Sequence, residues 1–209
     1  MSNVHVSLVS STNDIEKHIA YCARVSNPSN QCNVSFDKLL RYCIRNKHWS
    51  IFEHGFVTLE IKTSRTISRQ ILRHRSFTFQ EFSQRYAITP NSPILFEARR
   101  QDLKNRQNSI DDVGSNVKEW FIDLQRDNWE RCYLNYTAAI EMGIAKEQAR
   151  VLLPEGTCPT TIYMTGSVRS WIHFIQLRIG NGSQKEISNI AELCKEELLK
   201  LCPTIFSSI

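Results

Sequence analysis

The sequence predicts a mixed α/β (α+β) fold in a single domain over 1–209, with helices dominating its second half. Three observations predict it. A length of 209 residues is that of one domain. Short stretches near 3–9 and 56–61 alternate apolar and polar residues, the period of half-buried strands. Beyond residue 115 the apolar positions recur at helical spacing instead.

Taken in order, Val4, Val6 and Leu8 make a first strand near 3–9. Asp14 caps a helix through about Val25, with Ile15, Ile19 and Cys22 on its inner face. Ser35 starts another, carrying Phe36, Leu39, Leu40 and Cys43. Val57, Leu59 and Ile61 form the buried side of a second strand. Over 64–74 the period changes, and Arg65, Arg69 and Arg73 share one helical stripe opposite Ile67 and Ile71. Segment 87–115, with Pro90, Pro93 and Gly114, reads as a polar surface loop. A long helix over 116–142 ends at Gly143, and a shorter one over 144–153 stops at Pro154. Thr165 or Gly166 begins a helix reaching Arg178, which the Gly180-Asn181-Gly182 turn breaks. Ser183 with Glu186 has the spacing of a capping box for the last helix.

Composition narrows the function. At 41% hydrophobic and 22% charged, the chain is neither disordered nor collagen-like. No run of 18 apolar residues predicts a membrane span, and the N-terminus lacks the pattern of an export signal, which points to the cytoplasm. Seven cysteines, an odd number with no CxxC pair, read as reduced, mostly buried side chains. Residues 62–86 hold six Lys and Arg against the single acid Glu81, which accounts for the whole net charge of +5. The rest of the chain is balanced. A neutral globule with one concentrated cationic segment suits a compact anionic ligand rather than a nucleic-acid coat.

The densest chemistry lies in Gln70-Ile71-Leu72-Arg73-His74-Arg75 and Gln80-Glu81-Phe82-Ser83-Gln84-Arg85-Tyr86. Arginine forks suit phosphates and the carbonyl edge of a base. Glu81 among these cations would be held ionised, as an acceptor for sugar hydroxyls or an imide N–H. Backbone amides around Ser83 add donors for a phosphate. A helix with solvated arginines explains the stripe alone, but not the His, Gln, Glu and Ser crowded behind it. Arg150 and Arg178 each adjoin an apolar run, where an arginine is paired, contacts a ligand or snorkels from a helix end. His48 and His54 lack the spacing of a metal pair, and no metal site is expected. There is no G-x-S-x-G elbow, activated cysteine, Rossmann fingerprint or P-loop.

These residues resemble the flavin-dependent thymidylate synthase family, whose signature is Arg-His-Arg, seven residues, then Ser. Arg73-His74-Arg75 and Ser83 meet it, within a wider pattern of Gln70, Glu81, Arg85 and Tyr86. Family-like segments flank it in order: Ala23–Ser26, His48–His54, Ala149–Pro154, Tyr163–Trp171, and Leu177-Arg178 with Gln184–Glu186. The resemblance implies methylation of dUMP to dTMP, with methylenetetrahydrofolate as carbon donor, FAD as cofactor and NADPH as reductant. It implies a homotetramer with shared active sites and no protein nucleophile. Carried over, Gln70, Arg73, Glu81, Phe82, Ser83, Gln84, Arg85 and Arg150 hold dUMP, and Arg178 meets the uracil as the catalytic residue. Ser50, Arg73, His74, Arg75, Glu81, Arg169 and His173 meet FAD, with His74 and Arg75 near the isoalloxazine or diphosphate. Gln80, His173 and Gly182 depart from the commonest pattern of Asn, Asn and His.

Two other readings stay open. In one, Phe77, Phe79, Phe82 and Tyr86 stack the bases of a single-stranded nucleic acid while the arginines of 62–86 track its phosphates. In the other, a flavoprotein of this fold oxidises NADPH without making dTMP.

Overall fold

Four strands form one antiparallel sheet in the order β1-β2-β6-β3. They are β1 (His5–Ser11), β2 (Phe56–Ser64), β3 (Thr78–Glu81) and β6 (Pro159–Ser167). A separate two-stranded hairpin pairs β4 (Arg100–Gln101) with β5 (Ser109–Ile110). The computed structural model describes residues 4–180 and 182–209. In β2, Val57, Leu59 and Ile61 are buried while Phe56 and Lys62 stay exposed, the alternation of a sheet covered on one face. Helices α1 (Ile15–Ala23), α6 (Val168–Arg178) and α7 (Lys185–Leu201) share with that face a core that includes Ile19, Trp171, Phe174, Ile187 and Ile190. A smaller cluster of Trp129, Tyr136, Ala139, Ala149, Leu153 and Cys158 lies between α4 (Ser115–Glu141) and α5 (Lys146–Ala149).

Several expected elements shift. β1 runs to Ser11 with a bulge between Leu8 and Ser10, and the expected start at Asn3 lies outside the described residues. Asp14 sits at φ 45° and its side chain caps nothing, because the left-handed turn carries its carboxylate away from the first helical amides. Helix α2 (Asp37–Arg45) starts two residues after Ser35. Helix α3 (Arg65–Ile71), capped by Ser64 through its hydroxyl to the Ile67 amide (3.4 Å), stops before Arg73. Arg73 therefore leaves the stripe and sits on an exposed turn.

The largest correction is β6. The expected helix start at Thr165 or Gly166 falls inside a strand, because both edges of β6 are hydrogen-bonded, to β2 and to β3. Helix α6 starts only at Val168, capped by the Ser167 hydroxyl on the Ser170 amide (3.3 Å). Helix 116–142 appears as α4, closed by Gly143 at φ 86°. The helix expected over 144–153 is reduced to α5 and the 3-10 helix Arg150–Leu152. The capping box fails as well. Gln184 holds the N-cap of α7, the Ser183 hydroxyl donates to the Leu177 carbonyl (3.4 Å), and Glu186 is taken by Arg99. In the expected turn before it, Asn181 lies outside the described residues. Helix α8 (Pro203–Phe206) closes the chain. Four cysteines are buried, Cys22 and Cys132 are half-buried, and Cys32 is exposed. Among the described residues no helix is long and apolar enough to cross a membrane.

Candidate active site

Helix α3 turns Ile67 and Ile71 into the core and its arginines away from it. Arg65, only 8% exposed, bonds Glu155 at 3.2 Å and lies 3.8 Å from Glu81. Arg69 meets the same two acids at 3.2 and 3.7 Å. Glu81 ends β3, and its Oε1 also accepts from the hydroxyls of Ser68 (2.8 Å) and Thr160 (3.0 Å). Two guanidiniums and two hydroxyls therefore fix its orientation. Beside it, Phe82 and Ser83 line a cleft of about 380 Å³ with Gln80, Thr161 and Tyr163.

A second group gathers where α6 ends. Arg178 donates through Nε to His74 Nε2 (2.9 Å) and through a terminal nitrogen to the Gln70 carbonyl (3.3 Å). No carboxylate lies within 4 Å of this half-buried cation among the described residues. Burial and the Arg73 charge hold its pKa below the ordinary arginine value. His74 is pushed down to about 4 by burial, then by Arg178 and Arg73. At neutral pH the imidazole is therefore uncharged. Its Nε2 lone pair takes the Arg178 hydrogen, so the ring proton resides on Nδ1. Phe174 holds the ring edge-on with centroids 4.9 Å apart.

Arg85 and Arg150 form a third group at Glu147. Arg85 bonds its carboxylate (3.1 Å), and Arg150 donates to its main-chain oxygen (3.2 Å). No hydrogen bond or ion pair joins this group to Arg178 among the described residues. Gln84 is only 4% exposed, and its amide nitrogen is spent on Thr89 (3.1 Å) and the Cys158 sulfur (3.0 Å). The Gln84 amide nitrogen thus serves the fold, which leaves its side-chain oxygen and backbone to meet a ligand. Burial pushes the Cys158 thiol up to about 11.

The residues expected to meet flavin follow the open side of α6. Arg169 and His173 stand one turn apart on it. Arg169 pairs with Glu53 (2.9 Å), which also accepts from Ser167 (2.7 Å), and His173 packs beside Trp49 at 5.7 Å. Ser50 is exposed on the 3-10 helix Trp49–His54 that carries both partners. Arg73 and Arg75 are exposed on the turn that the His74–Phe174 contact pins against α6. Sequence reasoning missed the acids Glu53, Glu147 and Glu155, which adjoin these cations only through the fold. Ser68 was within reach, since it shares a helical turn with Arg65 and Arg69.

The nucleic-acid reading loses its platform here. Phe77 is in the core, Arg65 is buried, and Arg69 and Arg85 are paired. Of the aromatic set only Tyr86 is fully open.

Comparison with known proteins agrees with the geometry. Residues 7–204 match the family model described as "Thymidylate synthase complementing protein". The chain is 52% identical to a probable flavin-dependent thymidylate synthase of Paramecium bursaria Chlorella virus 1, over 97% of this chain and 94% of that protein. It is 51% identical to the flavin-dependent thymidylate synthase of Synechocystis sp., over 91% and 87%. Among solved structures it resembles the UMP/dUMP methylase PolB of Streptomyces cacaoi, bound with 5-Br dUMP, with a TM-score of 0.86, 25% identity and coverage of 99% and 94%. A family model spanning nearly the whole chain, and relatives at half identity over nine-tenths or more of it, place this chain in the flavin-dependent thymidylate synthase family.

Proposed function

We propose that this chain catalyses the reductive methylation of dUMP to dTMP, as one domain over 1–209. Methylenetetrahydrofolate donates the carbon, and NADPH reduces an FAD cofactor. Arg178 carries the reading: it is a half-buried guanidinium with no acid partner among the described residues, held by an uncharged histidine and a carbonyl. Such a cation is uncompensated until an anion, or a base carbonyl gaining charge, comes against it. At the uracil edge it stabilises negative charge on the ring and makes C5 more nucleophilic. Glu81, oriented by Ser68 and Thr160, accepts from nucleotide hydroxyl or N–H donors. The amides of Ser83 and Gln84, with Arg73, Arg85 and Arg150, suit the phosphate.

The donor set also suits a flavin dinucleotide. Exposed Arg73 and Arg75 match a diphosphate, while Ser50, Arg169 and His173 offer polar contacts along α6. When bound, the flavin supplies the hydride. No thiolate attack on the pyrimidine is needed, and the buried Cys158 thiol is poorly suited to one. As the resemblance implies, the protein assembles as a homotetramer in which subunits complete one another's sites.

The test is tritium release from 5-tritiated dUMP with methylenetetrahydrofolate, FAD and NADPH, each omitted in turn. Release requiring all of them is expected. NADPH consumption with bound flavin but no release would instead leave an NADPH oxidase of this fold.

A further inference from the structure

Gln184 and Glu186, at the start of α7, are joined to the nucleotide site by a directional chain of hydrogen bonds. Arg99, just before β4, places both terminal nitrogens on the Glu186 carboxylate at 2.6 and 2.8 Å. The pair is largely enclosed, with side chains 11% and 19% exposed. Burial pushes the Glu186 carboxyl up, but the Arg99 bonds, a backbone amide and Gln184 outweigh it and hold the group below its ordinary value. Lys185, between the two, ties the same loop to α7 through Glu97 (3.1 Å) and Asp111 (3.0 Å).

A carboxylate can only accept, so Gln184 must turn its NH2 toward it, and Nε2 meets Glu186 Oε2 at 2.9 Å. That leaves Gln184 Oε1 facing α3, where it accepts from Gln70 Nε2 at 2.7 Å. One Gln70 hydrogen is committed there, and the Gln70 main-chain oxygen takes Arg178. What remains of that amide for a ligand is its side-chain oxygen and the second Nε2 hydrogen, and the bond to Gln184 fixes which edge each occupies.

We infer that Gln184, oriented by the Arg99–Glu186 pair, is a positioning residue that locks the Gln70 amide with its carbonyl toward the nucleotide. The inference rests on the reading of Gln70 and Arg178 as dUMP contacts. It deepens that reading by giving Gln70 a polarity. At the edge that carries its oxygen Gln70 is an acceptor, which suits a hydroxyl or N–H of the nucleotide better than a carbonyl or phosphate oxygen.

Calorimetric titration of the flavin-loaded protein with dUMP tests this through a double-mutant cycle. Gln184→Met removes both hydrogen bonds at similar volume, and it is expected to weaken dUMP binding about tenfold, the loss of one oriented hydrogen bond. In a Gln70→Met background the same change is expected to cost less than about twofold, because the group it orients is gone. Glu186→Gln, which can donate as well as accept, is expected to weaken binding similarly, with Glu186→Asp restoring most of it. Penalties from Gln184→Met and Gln70→Met that simply multiply would overturn the relay, as would a Gln184→Met variant binding dUMP like the wild type. A wild-type protein that binds no dUMP at all overturns the site reading itself, and the relay with it.

Discussion

His74 and Arg178 meet at 2.9 Å, a contact in which the imidazole is neutral and accepts from the guanidinium, and burial and the neighbouring arginines push its pKa down to about 4. The consequence is measurable. As pH falls through about 6.5 the unfolded chain protonates this histidine, whereas the folded chain resists down to about 4. The unfolded state binds more protons across that window, so folding stability declines as pH is lowered through it. Urea unfolding of the ligand-free protein at pH 7, 5.5 and 4.5 is expected to show a smaller acid loss in His74→Gln than in the wild type. Equal losses would place the titration elsewhere. At this scale the sequence was informative about identity and poor about partners. Arg73-His74-Arg75 and Glu81 stood out by density, yet the mutual contact of residues 74 and 178 has no local signal. Gln84 stands out in the same cluster, but that its amide nitrogen is committed to Thr89 and Cys158 has no local signal either.

Among the elements, β6 decides the most. It pairs with β2 on one side and β3 on the other, and its turn into α6 sets the direction of the helix that carries Arg169, His173 and Arg178. Its own residues, Thr160-Thr161-Ile162-Tyr163-Met164-Thr165, are good strand formers, but the Gly166-Ser167-Val168 step reads equally as a helix start. Only the two neighbouring strands resolve the ambiguity. Gly166 is needed in this strand because Phe77, just before β3, lies against its Cα, where a Cβ would overlap the ring. Gly166→Ala is expected to cost about 1–3 kcal/mol of stability from overpacking. In a chain of this size that lowers Tm by about 2–4 °C for each kcal/mol. An unchanged thermal melt would show that Phe77 moves aside freely.

For the molecule as a whole, α4 is the outlying feature. Over 27 residues it buries only Trp129, Tyr136 and Ala139. Val117, Trp120 and Leu124 follow one helical stripe and remain exposed, Trp120 at 60%. Apolar side chains grouped in this way mark an association surface. The proposed tetramer offers them cover, so Trp120→Glu is expected to shift the species seen by light scattering toward lower mass. Unchanged mass would mean that assembly uses another face.

Sequence alone determined the family, the fold class and the cationic segment, and it named candidate site residues, because side-chain type and spacing along the chain are local properties. It also located α4 and its glycine stop, where periodicity runs long enough to be unambiguous. Tertiary structure decided the rest. It placed β6 at the middle of a sheet, paired Arg65 and Arg69 with Glu81 and Glu155, and lowered the pKa of His74. Sheet pairing, ion pairing and desolvation all depend on residues distant in the chain meeting in space. No window of sequence contains those distances.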